Sequence, residues 1–230
     1  MGLLGEGVLA FWHGVEEAAE EDFLAWHVRE HIPERVGLPG FLRGRRYVAV
    51  EGQPKFFNFY EAASIETFRT PIYRERLNNP SPWTRQVVGH FRDTTRTVCK
   101  LVTSMGCGEG AWVETIRLGA AVSAENFREI VANDVLPGLF SGKGIAGVHF
   151  LEGIPSESRP DTAEKALRSE PDRVADWILL VEAVSHAHLT AQRTAAAADV
   201  FKRIGAVTSI ERGIYQIQFS LGKADLAEPA

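Results

Sequence analysis

Two imidazoles stand four residues apart, His27 and His31, within residues 26–41 (WHVREHIPERVGLPGF). Side chains four apart lie on one face of a helix. An imidazole can take or give a proton near neutral pH, and such general acid–base help accelerates a reaction by about 10²–10⁴. His31 is therefore the first candidate for catalysis or ligand contact. The alternative is a helix-end histidine that bonds to free carbonyls.

The same histidine pair could supply two ligands to a metal ion. It does not form the His-Glu-x-x-His zinc pattern, because Val28 stands where that pattern has its glutamate. No third ligand is evident in the sequence. We therefore expect no metal and predict that His27 is a solvated surface residue.

Further polar groups lie on predicted strands. Asn58 and Tyr60 are two apart and share a strand face, where the amide could orient a carbonyl and the phenol could stabilise an oxyanion. His13 lies on the first strand, and His90 precedes the last strand of the first half. We predict that Asn58, Tyr60 and His13 join His31 as catalytic residues and that His90 contacts substrate. The alternative for each is an ordinary structural group with a satisfied polar end.

Two other side chains are candidates for substrate contact. Arg45 could pair with an acidic substrate, although the group 43–46 as a whole is typical of a solvated edge. Trp83 follows residues 79–82 (NPSP), which predict a rigid turn. Trp83 could close one end of a barrel, or serve as a packing anchor, which is the favoured interpretation.

An internal repeat supplies the elements that must position these residues. Residues 7–15 and 110–118 are similar apolar, β-rich runs, and each is followed by an acidic helix start. Both helices reach a proline, Pro33 and Pro137, ten residues after a phenylalanine. The register therefore holds without a gap over that stretch.

The rest of each half continues in parallel. The remaining predicted strands are 41–51, 56–62 and 94–103 in the first half, and 145–152, 177–183 and 209–221 in the second. Second helices are predicted at 64–77 and at about 189–204. The order β-α-β-β-α-β is the ferredoxin-like unit, a four-stranded antiparallel sheet with both helices on one face. The other face of each sheet is bare and has to be buried, and the second unit of the same chain can cover it. We therefore predict an α+β fold of two tandem ferredoxin-like units whose antiparallel sheets pack into an α/β barrel.

The predicted units are 1–105, which bears the site, and 106–230, which serves as a scaffold. The glycine-rich residues 104–110 suit a turn between them. The polar segment 155–173 replaces a short hairpin and predicts an exposed, mobile insertion. Residues 224–230 are typical of a frayed tail.

The two halves differ in their polar groups. Under the proline register, aliphatic residues of the second half match polar residues of the first: Val131, Val135, Leu179 and Val181 match His27, His31, Asn58 and Tyr60. A scaffold needs no polar groups, whereas a site does. The asymmetry predicts one pocket, built mainly by the first half and roofed by the second. The alternative is drift between two old copies, with no site.

The segment around the histidines resembles a known family. A helix with an aromatic residue, then His-x-Pro, then Leu-Pro-Gly before the second strand is similar to the dimeric α/β-barrel superfamily, and most similar to its EthD-like branch. The matching residues are Trp26, His31, Pro33, Leu38, Pro39 and Gly40.

This resemblance implies properties beyond the fold. Members are commonly small homodimers whose two sheets form the barrel, so this chain would be a tandem fused pair. Their activities include cofactor-free cyclases, dehydratases and isomerases on polyketide or aromatic-derived substrates, and relatives in the wider superfamily bind haem. Trp26, matched by the resemblance, joins the predicted substrate contacts.

Composition narrows the function classes. The 230 residues are 45% hydrophobic and 24% charged, as in folded soluble proteins, and the net charge of −5 provides no field for nucleic acid or anionic lipid. Two cysteines, Cys99 and Cys107, form no disulfide framework, and no apolar run approaches a spanning helix. We expect a cytoplasmic protein. The absence of Gly-x-Gly-x-x-Gly, Walker and Gly-x-Ser-x-Gly motifs argues against nucleotide use and serine hydrolysis.

These observations predict a small cofactor-independent enzyme. It would perform acid–base chemistry (cyclisation, dehydration or isomerisation) on an aromatic, polyketide-like or lactone substrate in the inter-sheet cavity. The alternatives are a haem or small-ligand binding protein with a histidine as axial ligand, and a module with no active site. The expected partner is a small molecule rather than nucleic acid or a membrane. The chain would be either a monomer with a pseudo-dimeric barrel or a homodimer.

Overall fold

Eight strands form a single sheet in the computed structural model, which describes residues 2–120, 123–192 and 207–226. The strands are β1 (Gly7–Val15), β2 (Phe41–Gly52), β3 (Phe56–Ala62), β4 (Phe91–Gly106), β5 (Trp112–Ala120), β6 (Ile145–Gly153), β7 (Trp177–Ala183) and β8 (Val207–Gly222). The α-helices are α1 (Glu20–Trp26), α2 (Ile32–Gly37), α3 (Pro71–Asn78), α4 (Pro82–Val88), α5 (Ala124–Ile130), α6 (Leu136–Phe140), α7 (Pro155–Ser158), α8 (Ala163–Ala166) and α9 (His186–Gln192). None of these described helices is long and apolar enough to cross a membrane.

The strands close into one antiparallel barrel in the order β1-β3-β2-β8-β5-β7-β6-β4. Each half contributes four neighbouring strands with the ferredoxin-like arrangement, β4-β1-β3-β2 and β6-β7-β5-β8. The pairs β2–β8 and β4–β6 join the two units. The fold is therefore α+β, with two tandem β-α-β-β-α-β units whose sheets form an α/β barrel, as the repeat predicts.

Strand register aligns the two units residue by residue. Gly7 pairs with Ala62 between β1 and β3, and Trp112 pairs with Ala183 between β5 and β7. Both pairings then run for seven residues without a register shift. Each residue of β1 and β3 in the first unit therefore has a defined counterpart in β5 and β7.

The first helix of each unit passes through a π-helical turn. Residues His27–His31 form this turn between α1 and α2, and Val131–Val135 form it between α5 and α6. Pro33 and Pro137 follow it at the same place, near the start of α2 and α6. The proline register therefore holds in the structure. A π-helical turn frequently marks a functional site, but here it occurs in both units and belongs to the fold.

The second helical layer of the first unit differs from the single predicted helix 64–77. A 3₁₀ turn at Ile65–Arg69 precedes α3, and the predicted rigid turn before Trp83 leads directly into α4. The hydroxyl oxygens of Thr70 and Ser81 accept hydrogen bonds from backbone N–H groups of the first turns of α3 and α4. The Thr70 cap, followed by a proline, divides the predicted helix 64–77 into the 3₁₀ turn and α3, and the Ser81 cap begins α4 beyond the predicted end.

The connection between the units is shorter than the predicted turn. β4 continues through residues 104–106, and only 107–111 connect it to β5. The predicted division between the two units stays a prediction. Of the helix expected at about 189–204, residues 193–204 lie outside the described residues, as do residues 227–230 of the expected tail.

Both faces of the sheet are buried. Inward-facing side chains fill the barrel, among them Trp12, Phe57 and Tyr215, each at most 1% exposed. Outward-facing side chains such as Phe56 and Tyr60 pack under the helices of the first unit. A further apolar layer lies under the helices of the second unit. The apolar core therefore occupies the barrel interior and one helix-covered layer on each unit.

The segment 155–173, which was expected to be exposed, packs on the first unit. Ser158 and Asp172 within it are buried. Ser158 Oγ accepts a hydrogen bond from the Val98 N–H at 3.0 Å, and Thr94 Oγ1 donates to Asp172 Oδ1 at 2.7 Å. Nine of its 19 residues are exposed, so the expectation of exposure holds for part of the segment, whereas Ser158 and Asp172 bond to β4 instead of to solvent.

Candidate functional site

A pocket lies on the outer face of the first sheet, under the π-helical turn, α2 and α3 and beside the segment 155–173. The sequence predicts a site between the two sheets. That location is wrong, because the barrel interior is filled by side chains such as Trp12. His27, His31 and Tyr60 line the pocket on the helix-covered face. We call this space the histidine pocket.

The walls of the histidine pocket are largely aromatic. The aromatic lining residues include Phe11, Trp26, Phe41, Tyr73 and Phe91. The Trp26 ring lies 4.3 Å from the His31 ring, centroid to centroid. Its Nε1 donates hydrogen bonds to Thr84 Oγ1 and Glu30 Oε1, both at 3.2 Å, which fix the indole in place. Apolar walls with a few placed polar groups are typical of small-molecule sites.

His27 and His31 form a stacked pair, with ring centroids 5.5 Å apart and planes at 22°. His27 is buried, and its Nε2 shares a hydrogen bond with the Tyr60 hydroxyl at 3.2 Å. The expectation of a solvated His27 is therefore wrong. His31 is half-buried, and the Tyr60 ring meets it edge-on at 6.3 Å. The Nδ1 atoms of both imidazoles are buried without a hydrogen-bond partner among the described residues.

His13 lies behind the pocket wall and positions Asn58. Its ring stacks against both Phe11 and Phe91 and is fully buried, and this burial lowers its pKa to about 3. The neutral ring donates from Nδ1 to the Gly14 carbonyl at 3.1 Å, so Nε2 accepts from Asn58 Nδ2 at 2.8 Å. This bond fixes the amide and leaves Asn58 Oδ1, a buried acceptor on the pocket wall, without a hydrogen-bond partner among the described residues. The structure thus brings Asn58, but not His13, to the pocket.

Burial sets the charge state of the pocket. It lowers the pKa of His27 and of His31 well below the usual histidine value. The Arg46 guanidinium adds to this effect on His27, and the Arg35 guanidinium adds to it on His31. Burial raises the pKa of Tyr60, so its hydroxyl keeps its proton. At neutral pH the pocket therefore holds two uncharged imidazoles that can accept protons and a phenol that can donate a hydrogen bond.

The second unit has aliphatic side chains at the matching positions. Strand register and the π-helical turns define five equivalent positions in the two units. In the first unit they hold His13, His27, His31, Asn58 and Tyr60, and in the second, in the same order, Leu118, Val131, Val135, Leu179 and Val181. All five aliphatic residues are buried in one apolar cluster. The polar pocket is therefore a feature of the first unit and not of the repeat.

No protein-family model matches the chain, and no curated protein matches it in sequence. Solved structures do match it. An anthrone oxidase-like protein is 15% identical, with a TM-score of 0.66, and the match covers 97% of this chain and 96% of that one. A provisionally named monooxygenase from Fusobacterium nucleatum is 12% identical, with a TM-score of 0.59 and 96% coverage of both chains. A mutant chlorite dismutase from Candidatus Nitrospira defluvii, in complex with cyanide, is 8% identical, with a TM-score of 0.54, and the match covers 94% and 92% of the two chains. At these identities the likeness shows the fold alone, which is the ferredoxin-like barrel.

Arg45, predicted to meet an acidic substrate, lies on the opposite face of the sheet from the pocket. It is buried, with Nη1 2.9 Å from Glu182 Oε1 and Nη2 3.0 Å from Glu61 Oε1. Arg43 Nε donates to the same Glu61 oxygen at 2.7 Å. The expectation of a solvated arginine edge is therefore wrong, because these side chains form a buried ion network that connects the two units.

Trp83 and His90 do not line the histidine pocket. Trp83 packs beside the aromatic cluster under α1, and its Nε1 donates to Asp22 Oδ1 at 2.9 Å. This is the anchor role rather than the predicted substrate contact. His90 is partly exposed, and its Nδ1 lies 2.6 Å from Glu16 Oε2. Of the four predicted substrate contacts, the structure places Trp26 at the pocket.

His27 and His31 are the candidate metal ligands in the histidine pocket. Among the described residues, no three His, Cys, Asp or Glu side chains gather as a metal site. About 30 Å³ of the pocket is wide enough for the centre of a water molecule, so a ring-shaped ligand enters it only when the lining side chains move apart.

Four charged residues that line the pocket were missed in the sequence, and one of them is Arg168. The other three are Arg35, Arg96 and Glu164; Arg35 forms an ion pair with Glu164, and Arg96 donates to the Tyr73 hydroxyl at 3.1 Å. The position of Arg96 could have been recognised, because a charged residue inside the predicted strand 94–103 faces either the barrel interior or the helices. Both faces of this sheet are buried. The position of Glu164 could not have been recognised, because the docking of its segment depends on tertiary contacts.

Proposed function

We propose that the protein is a small-molecule enzyme that moves a proton on a flat aromatic or polyketide-like substrate bound in the histidine pocket. One observation supports this most directly. The uncharged imidazoles of His27 and His31 meet Asn58 and Tyr60 in an aromatic-walled pocket, at positions that are aliphatic in the other unit. Buried polar atoms without partners, and titratable groups with displaced pKa values, are typical of functional sites.

Each polar group has its own role in this proposal. His31, the half-buried imidazole, accepts a proton from an acidic C–H or O–H group of the substrate. Its lowered pKa keeps the free ring neutral but makes it a weak base, and the substrate anion formed beside it stabilises the imidazolium as an opposite charge. Asn58 Oδ1 accepts a hydrogen bond from a substrate hydroxyl. The Tyr60 hydroxyl fixes His27, and the His27 ring stacks on His31 and orients it.

The names of the structural neighbours favour oxygenation as the reaction that follows proton removal. An anthrone-type substrate has a ring methylene whose deprotonation gives a stabilised carbanion, and dioxygen is the oxidant. In the balanced reaction the methylene carbon loses two hydrogens and four electrons, one oxygen atom becomes a ring carbonyl, and the other leaves as water. Cyclisation, dehydration and isomerisation are the redox-neutral alternatives, and they begin with the same proton transfer.

The proposal includes two properties of the whole chain. The enzyme would need no resident cofactor, and the chain would be a fused pair from the EthD-like branch. The matched segment Trp26–Gly40 supports the branch, and the common register of the two units supports the fusion. A visible absorption band in freshly purified protein would contradict the absence of a cofactor.

Hydrogen–deuterium exchange tests the proton transfer without requiring turnover. Anthrone is incubated with the protein in deuterated buffer under anaerobic conditions, and loss of the methylene proton signal is followed by NMR. The wild-type protein should accelerate exchange, and His31→Gln should remove about 10²–10⁴-fold of that acceleration. Oxygen uptake with the same compound, measured in air, then separates oxygenation from the redox-neutral reactions.

The matched control is His90→Gln, which changes a histidine that lies outside the pocket and is paired with Glu16. It should exchange deuterium at the wild-type rate. If the wild-type protein gives no acceleration with anthrone or with phenolic polyketide analogues, or if His31→Gln retains the acceleration, the proposed function is wrong.

A further inference from the structure

Arg96 stands where the histidine pocket meets a wider hollow. The hollow has about 360 Å³ of space wide enough for water-sized molecules, and it is bordered by α3 and the segment 155–173. Tyr73, Leu77 and Arg96 line both spaces. A ligand that reaches His31 from the hollow therefore passes the Arg96 guanidinium.

The other cations of the histidine pocket are neutralised by carboxylates. Arg35 forms ion pairs with Glu164 and, at 3.5 Å, with Glu34. Arg168 Nη2 lies 2.6 Å from Asp172 Oδ2. Arg96 is also buried, at 6% exposed, but it forms no ion pair with any carboxylate in the part of the chain that the structure describes.

The hydrogen bonds of Arg96 leave part of its guanidinium unused. Nη1 donates to the carbonyl oxygens of Glu157 and Ser158 at 3.3 and 3.1 Å, and Nη2 donates to the Tyr73 hydroxyl at 3.1 Å. A guanidinium has five N–H donors. The Nε donor and one Nη2 donor therefore have no partner among the described residues. A buried charge without a counter-ion is costly, which indicates that a ligand supplies one.

The second unit shows the same arginine with its counter-ion in place. Arg96 and Arg212 occupy equivalent positions in the two units, because they pair with matching residues of β1 and β5. Arg212 Nη1 lies 3.6 Å from Glu114 Oε1. The residue that matches Glu114 in the first unit is Leu9, which lines the histidine pocket. The first unit thus keeps the arginine and lacks the carboxylate.

We propose that the substrate carries a carboxylate on its aromatic ring system and that Arg96 binds this carboxylate through Nε and Nη2. This inference rests on the proposed function and names the substrate class of the same pocket. A carboxylate is planar and offers two acceptor oxygens that match adjacent guanidinium donors. With the carboxylate held at the mouth, the ring lies inward against Phe11 and Trp26, beside His31.

The test compares two ligands of equal shape, 2-naphthoate and 2-naphthamide, by isothermal titration calorimetry. Wild-type protein should bind the carboxylate at least about tenfold more tightly than the amide, as expected for a charge-assisted hydrogen bond in a buried site. Arg96→Gln should remove this preference, and Arg96→Lys should retain part of it. Because Arg96 also holds the segment 155–173, thermal unfolding of both variants checks that they fold.

A second pair of variants leaves Arg96 intact. Leu9→Glu places in the first unit the carboxylate that Glu114 supplies in the second, so it should pair with Arg96 and weaken naphthoate binding at least about tenfold. Leu9→Gln has the same size without the charge and should keep the preference for naphthoate.

The outcomes separate this inference from the proposed function. Equal affinity of the wild-type protein for the two ligands, or an unchanged preference in Arg96→Gln, overturns the carboxylate assignment, while deuterium exchange at His31 can still succeed. If neither ligand binds and no exchange is seen, both proposals fail. If exchange is seen but neither ligand binds, the carboxylate assignment alone is overturned.

Discussion

The two units share one backbone plan and differ in what fills the space under their first helix. Both have the π-helical turn, the proline after it and the same strand register. The first unit places His27, His31 and Tyr60 around a pocket, whereas the second packs Val131 and Val135 into a closed apolar cluster. The π-helical turn therefore provides a location, and the residues on it decide whether that location becomes a site.

The difference also divides stability from function. Three polar atoms at the matched positions of the first unit, His27 Nδ1, His31 Nδ1 and Asn58 Oδ1, are buried without a hydrogen-bond partner among the described residues. Leaving such an atom unpaired costs about 1–3 kcal/mol. The matching side chains of the second unit have no polar atoms. The first unit therefore bears a cost in folding free energy at positions where the second unit gains packing.

The largest loss of stability should follow when a polar residue of the first unit replaces its aliphatic counterpart in the second unit. Leu179→Asn, which reproduces Asn58, removes a fully buried leucine and leaves an amide without the histidine partner that Asn58 has. We expect the free energy of unfolding, measured in urea, to fall by about 3–5 kcal/mol. Leu179→Met is the volume-matched control and should cost less than about 1.5 kcal/mol. Equal losses in the two variants would break the comparison.

Acid should destabilise the protein through its buried histidines. Burial lowers the folded-state pKa of His13 to about 3, while the unfolded chain keeps a value near 6.5. Below pH 6.5 the unfolded state binds a proton that the folded state does not, so His13 removes up to about 1.4 kcal/mol of stability for each pH unit down to about pH 3. Urea unfolding measured between pH 7 and pH 4 shows this slope.

The double variant His13→Leu with Asn58→Leu carries the residues of the second unit and isolates the contribution of His13. The free energy of unfolding of this variant should fall less steeply with decreasing pH than that of the wild type. The difference between the two slopes is the contribution of His13. The carboxylates and the other histidines are common to both proteins and cancel in the difference. Identical slopes would mean that His13 is protonated in the folded protein.

A smaller effect distinguishes the two residues at the end of the π-helical turn. Val135→Ala truncates a buried side chain and should cost about 1–3 kcal/mol of unfolding free energy. His31→Ala, at the matching and half-buried position, should leave folding nearly intact while it weakens ligand binding or exchange activity. Parallel urea and calorimetric titrations test both expectations. A His31→Ala protein as destabilised as Val135→Ala would assign His31 a structural role.

The smallest change in stability should come from making the first unit resemble the second. The triple variant with His27→Val, His31→Val and Tyr60→Phe removes both partners of the His27–Tyr60 hydrogen bond together with two unpaired ring nitrogens. Replacing both members of a buried polar pair by apolar groups is nearly neutral, so thermal unfolding should correspond to a change below about 1 kcal/mol. Proton-exchange activity should be lost. A large destabilisation would show that these groups belong to the core.

Much of the fold was predictable because it repeats. The proline register and the two strand–helix orders give the topology, and the substitution of histidines by valines indicates which unit differs. The face of the sheet that bears the pocket was not predictable. All seven residues of β3 are buried, so alternation along Phe56–Ala62 does not distinguish the barrel interior from the helix-covered side. The inter-sheet cavity was expected because the bare face of each sheet needs cover, and that reasoning does not say whether side chains fill the enclosed space.

The site was predictable in part. His31, Asn58, Tyr60 and Trp26 line the pocket because they lie on elements whose register the repeat defines. His13 and Arg45 were predicted at the site but lie outside it. The alternation of side chains along a strand assigns each residue to one face of the sheet and does not indicate what packs against that face. The charged residues of the segment 155–173 were beyond sequence reasoning, because polar composition indicates solvation unless the bonding partners, here on β4, are known.

The closed barrel has a consequence for association with other chains. Each of the eight described strands has a strand neighbour on both sides, so the backbone offers no free N–H and C=O ladder to an incoming strand. A further copy of the chain, or any other protein, has to bind through side chains of helices and loops. A fragment that ends between β4 and β5 would free β2 and β4, which pair with the second unit in the whole chain. Covalent continuity between the units thus protects the chain against intermolecular strand exchange.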